Sequence, residues 1–220
     1  MRRIFELGGV VAAAVLIALG IATLVMSFSG RSTVHKSLKQ EYIVGSPDMT
    51  PAAIRKEAGD AKLPASITLP TCNVAGKTID SGGEARCFAN YMRIHTLEVT
   101  GGYTYSQMGR FEAKPDTPAT QLAKGGGTDN AEFAAIDPRT QQPISNHARD
   151  IWVNETALTT ALNASYMAEE ISLFGLMVGF TLLLSGLGFG ILAVGGALRT
   201  KESLVPFRKP SLGKTPAPIT

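Results

Sequence analysis

Two stretches of this chain are apolar without interruption, and between them polar and apolar residues alternate at shorter range. Leu7 to Phe28 is a run of 22 residues without a charge, and Ile171 to Leu198 is a run of 28. As helices rising about 1.5 Å per residue, both are long enough to cross a hydrocarbon layer of about 30 Å. In the first, Ala14, Ala18 and Ala22 recur every fourth residue. In the second, Gly175, Gly179, Gly186, Gly190 and Ala197 recur at intervals of four, seven, four and seven. Small residues on one stripe let helix backbones approach closely. The two stripes are therefore expected to face each other, or a second copy. The first run exceeds the roughly 7–15 apolar residues of a secretory signal, so it reads as a retained anchor.

Between the runs the pattern is mainly that of helices and turns. Val34, Leu38 and Tyr42 at four-residue spacing extend the first helix over 31–44, and Ser46-Pro47 turns the chain. Thr50 is placed to cap a short helix starting at Pro51. Pro64 and Pro70 bracket a short extended piece. Residues 83–98 form the best amphipathic helix, with Ala85, Phe88, Tyr91, Met92 and Ile94 to one side and Gly101-Gly102 as its stop. Tyr103 to Met108 alternates like a strand or a helix start, and 114–130, with Gly125-Gly126-Gly127, reads as a poorly ordered loop or lid. From Ala148 the pattern is helical again. Ile151, Leu158, Leu162 and Met167 are expected inward, and Arg149, Asp150, Asn154 and Glu155 outward. Trp152 and Tyr166 are amphipathic aromatics, and Tyr166 lies closer to a membrane edge near Glu169-Glu170.

This predicts a mostly α protein: a two-transmembrane-helix hairpin whose helices extend into a small, loop-rich α or α+β domain. The segments are a cytoplasmic start (1–6), a first span (7–28), an extracytoplasmic domain (29–170) with membrane-proximal helices at 31–44 and 148–170, a second span (171–198) and a cytoplasmic tail (199–220). Charge sets that orientation. Of a net +3, the excess sits outside the spans' far ends: Arg2 and Arg3, then Arg199, Lys201, Arg208, Lys209 and Lys214. Cytoplasmic loops carry such excesses. The sequence pI of about 8.9 therefore reflects membrane topology rather than nucleic acid. The proline-rich tail suits a segment resting near anionic headgroups.

Candidate chemistry is sparse. Cys72 and Cys87, the only cysteines, match neither a zinc pattern nor CxxC, and outside the cytoplasm they are expected to form a disulfide. Gly76-Lys77-Thr78 resembles the end of a phosphate-binding loop, but Thr71 stands where that loop needs glycine. His35, beside Lys36, reads as a solvated or interfacial side chain, and His95 as a structural one near a helix C-terminus. No catalytic, cofactor-binding or metal-ligating constellation is legible. Neither span carries the ionisable residue that marks a transport pathway.

The stretches Asn90-Tyr91-Met92-Arg93-Ile94-His95-Thr96-Leu97-Glu98, Thr100-Gly101-Gly102-Tyr103-Thr104-Tyr105 and Trp152-Val153-Asn154-Glu155-Thr156-Ala157-Leu158 resemble an uncharacterised actinobacterial family. Its members are small two-span membrane proteins with an extracytoplasmic domain. The resemblance covers most of the chain and implies no activity, ligand or catalytic residue. Some members carry names implying ring-opening dioxygenases, and this sequence offers no iron-binding facial triad in support.

Two functional readings remain. One is a structural, accessory or interaction subunit of the cell envelope, with the bilayer and another membrane protein or itself as partners. The other is an extracytoplasmic small-ligand sensor, with the 113–130 loop as lid over a pocket formed by His95, Tyr103 and Tyr105.

Overall fold

The computed structural model describes residues 2–195, and side chains from residue 5. Ala197 and the basic tail from 199 lie outside the described residues. The protein is mostly helical: α1 (Arg2–Gln40), α2 (Pro51–Asp60), α3 (Gly82–Val99) and α4 (His147–Val194), with short 3₁₀ turns at Tyr105–Gln107, Ala119–Gln121 and Ala131–Phe133. Among the described residues extended segments meet only at isolated bridges, such as Val44 with Thr78 and Phe111 with Thr128, so no β-sheet forms. Both α1 and α4 contain stretches long and apolar enough to cross a membrane.

The described residues form two compact units, 2–20 with 181–195, and Ile21–Phe180. In the first, Gly186 of α4 lies against α1: a methyl group placed there would come within 2.7 Å of the Ile17 side chain and 3.1 Å of the Ala13 carbonyl oxygen. Gly190 lies beyond it, at contact distance from Ala13.

In the second unit α1 and α4 meet again through small residues. A methyl on Gly175 would strike Ser27 Oγ, and one on Gly30 would come within 2.8 Å of Ser172 Oγ. Gly179 is also buried. The face of α1 expected to make these contacts does not. Ala14, Ala18 and Ala22 are all exposed, while Ala13, Gly20 and Ser27 are buried at seven-residue intervals. The two stripes lie about 160° apart, on nearly opposite sides of the helix. The buried one carries glycine, which permits closer approach than alanine, and a serine hydroxyl that is better placed among protein atoms than on an apolar exterior.

The rest of the second unit is a small domain with its core on α3. Ser81 caps α3 in a reciprocal capping box with Glu84, and Gly102 N–H closes its end on the Leu97 carbonyl at 2.7 Å. Thr50 Oγ1 caps α2 by accepting from Ala53 N–H at 3.2 Å, with Pro51 at the first turn. Ile54, Val74, Ile79, Tyr91 and Ile94 are fully buried around these helices. Cys72 and Cys87 sulfurs stand 2.02 Å apart, and Tyr91 Oη donates to the Cys72 carbonyl at 2.6 Å.

The buried face of α4 differs from the expected one. Trp152, Glu155, Leu162 and Glu169 are buried, whereas Leu158 and Met167 are exposed. Trp152 sits in the core because its Nε1–H has partners there, donating to the Tyr103 carbonyl at 2.7 Å. Glu155 is inward with Arg93 nearby, and it accepts a hydrogen bond from Thr156 Oγ1 at 3.3 Å. Tyr42, expected on an apolar helix face, instead follows the end of α1 at φ 52° and is exposed.

The glycine-rich segment is no loose lid. Gly109 N–H binds Gly126, Phe111 and Thr128 exchange both backbone hydrogen bonds, and Gly125 N–H binds Gln107. Asn146 Nδ2 ties this loop to the start of α4 by donating to the Gly109 carbonyl at 2.9 Å. Gly127, at φ 73°, has no room for a side chain against Asn146. Backbone hydrogen bonding, which composition does not report, is what orders this segment.

Candidate functional site

Packing of α2 on α3 through Ile54, Ala58 and Ile94 brings their flanking polar residues together. Glu57 precedes Ala58, and His95 follows Ile94, so the two face each other across the contact. His95 Nε2 lies 3.4 Å from Glu57 Oε2, within ion-pair range but without the alignment of a hydrogen bond. His95 Nε2 and Glu57 Oε1 are buried and find no hydrogen-bond partner among the described residues. Glu98, one turn beyond His95 on α3, is a second carboxylate beside Glu57. Asp48 joins from the turn before α2, where Ser46 Oγ donates to its Oδ1. Ligand atoms of Asp48, Glu57 and His95 all lie within 4.8 Å of one another.

The electrostatics follow from this crowding. Burial, then the neighbouring Glu98 and Asp48, push the Glu57 carboxyl up to about 7. The Ser46 hydrogen bond holds Asp48 below its ordinary value, with His95 adding to the effect. The cluster thus holds a carboxyl near its titration midpoint at neutral pH beside an imidazole. Its donors, one imidazole and carboxylate oxygens, are those of a borderline-hard divalent cation. With a single histidine it differs from the two-histidine, one-carboxylate iron triad. This constellation was missed in the sequence because Asp48, Glu57 and His95 share no local spacing. The His95–Glu98 interval on one helix face is the only local signal.

A second polar cluster centres on Glu169, buried on α4. Its Oε2 accepts from the backbone N–H of Gly82 at the start of α3, and its Oε1 lies 3.2 Å from Arg31 Nε and 3.4 Å from His35 Nε2 on α1. His35 therefore faces a carboxylate, contrary to the solvated role its neighbours suggested. Helical spacing along α1 alone conceals this partner, because it comes from α4.

The pocket expected from His95, Tyr103 and Tyr105 does not assemble. His95 belongs to the Glu57 cluster. Tyr103 packs against Gly125 and gives its carbonyl to Trp152, and Tyr105 lies 4.0 Å beneath the Arg149 guanidinium. Gly125 is filled against Tyr103 and Met108 instead of opening over a cavity. An apolar groove does open elsewhere, about 560 Å³, between Leu38, Ile43, Phe88, Met92, Leu158 and Leu162. Comparison with protein-family models, curated proteins and solved structures found no match to this chain.

Proposed function

We propose that this protein is a two-span integral membrane protein whose central domain stands outside the cytoplasm and serves as an accessory or interaction subunit of the cell envelope. The observation that carries the reading is α4. It runs unbroken from the core residues Trp152 and Leu162 into an uncharged stretch with glycines on its packed side. The basic excess beyond each span supports cytoplasmic termini. The resemblance to actinobacterial two-span proteins accords with this reading and assigns no chemistry.

The surface offered to a partner is the groove between Phe88, Met92 and Leu158, with Leu158 53% exposed at its rim. Its test is photo-crosslinking from an unnatural residue at Leu158 in native membranes, followed by purification in mild detergent. A discrete adduct, competed by substitutions at Phe88 and Met92, is the expected result. A monomer without adduct overturns the reading.

A small-ligand sensor is the second reading. The groove's volume favours it, since about 300–1,000 Å³ is usual for small-molecule sites. A lipophilic metabolite retained through purification, with no protein adduct, would select it.

A further inference from the structure

We propose that Asp48, Glu57 and His95 bind one divalent transition cation of the Zn²⁺ class, with Glu98 as the adjoining carboxylate and the Asp48 side open to solvent. Three observations carry this. First, the donor atoms converge from three separate stretches of chain, all within 4.8 Å of one another. Second, the 3.4 Å between His95 Nε2 and Glu57 Oε2 is the separation that two metal bonds of about 2.1 Å subtend at a tetrahedral angle. Third, the buried His95 Nε2, one of the two atoms that span this separation, has no hydrogen-bond partner among the described residues. Buried polar atoms are normally satisfied, and a cation held with Glu57 Oε2 satisfies it.

The charge balance points the same way. Asp48, Glu57 and Glu98 bring three carboxylates around one imidazole, with no arginine or lysine ion-paired to any of them among the described residues. Imidazole among the donors favours Zn²⁺ or its transition-metal neighbours Ni²⁺ and Cu²⁺ over Ca²⁺ and Mg²⁺, which take oxygen ligands. The backbone is set for this role in advance: Thr50 caps α2, the two helices are packed, and the disulfide between Cys72 and Cys87 closes the chain between them. The His95–Glu57 pair already has the required separation, and Asp48, within 4.8 Å of both, has at most about 1.4 Å to close.

The test uses the full chain in detergent, stripped with chelator and titrated with Zn²⁺ alone by calorimetry, and with Co²⁺ by visible absorption. The expected result is one Zn²⁺ per chain, a Co²⁺ ligand-field band displaced by Zn²⁺, and no competition from excess Ca²⁺ or Mg²⁺. Asp48→Asn lies on the exposed side and leaves the core intact. It and His95→Gln should each weaken binding about tenfold or more. His35→Gln and His147→Gln should bind as the parent does. Absence of stoichiometric binding, equal competition by Ca²⁺, or binding lost in the His35 or His147 variants but kept in His95→Gln would each overturn the proposal.

Discussion

Glu169 of α4 accepts a hydrogen bond from the backbone nitrogen of Gly82, the first residue of α3, although 87 positions separate them in the chain. A buried carboxylate at a helix N-terminus meets unsatisfied N–H groups and the positive end of the helix dipole. Arg31 and His35 on α1 approach the same carboxylate, so one side chain binds three helices. Glu169→Ala should cost about 2 kcal/mol, the scale of a hydrogen bond to a charged group. Glu169→Gln keeps an acceptor for Gly82 and should cost about half of that. Thermal unfolding of the three proteins in one detergent checks the order.

The small-residue contacts make a contrast between two faces of one helix. Gly175→Leu drives a side chain into Ser27 and should separate α1 from α4 in that region. Ala18→Leu, on the exposed face, should leave the contact intact. Disulfide crosslinking between cysteines placed at Gly30 and Ser172, which face each other in the same contact, compared with and without each leucine substitution, reads the separation. Equal loss for Ala18→Leu would contradict the packing described above.

Cys72 and Cys87 close a loop with a sequence separation of 15. In the chain-entropy model such a closure contributes about 3 kcal/mol. Cys72→Ser with Cys87→Ser should therefore lower the unfolding free energy of the domain built on α3 by about that amount and leave α1 and α4 helical. Urea unfolding followed by Trp152 fluorescence measures the first effect, since Trp152 is the single tryptophan and lies in the core.

Burial raises the Glu155 carboxyl above its ordinary value, more than Arg93 and the Thr156 and Thr159 hydroxyls lower it. The folded state therefore holds this proton more tightly than the unfolded state. Stability from the protonated form is complete below the unfolded value of about 4.3 and is lost as pH rises through the folded value. Glu155→Gln removes that loss. It should raise the melting temperature at pH 7 and have little effect near pH 4. A lower melting temperature at pH 7 would show that the charged form is stabilised after all.

Much of the helix content was legible from local pattern. The Thr50-Pro51 start and the Gly101-Gly102 stop act within a turn of the residues that signal them. The charge-free runs likewise mark long apolar helices by length alone. The faces of those helices were not legible. On α1 both Ala14-Ala18-Ala22 and Ala13-Gly20-Ser27 are small stripes, and periodicity ranks the first higher. On α4 Leu158 looks more core-like than Glu155, yet Glu155 is the buried one.

The sequence by itself determined where this chain is helical, where it is apolar enough to cross a membrane, and which ends carry the positive charge. Those properties depend on neighbours within a few residues or on composition along one segment. Only the tertiary structure decided which face of each helix is buried, that His35 meets Glu169, and that Asp48, Glu57 and His95 converge. These are contacts between segments far apart in the chain, and a side chain's burial depends on whether a partner there satisfies its polar atoms. Glu155, Trp152 and Glu169 are inside because such partners exist for them, and no spacing along the chain records that.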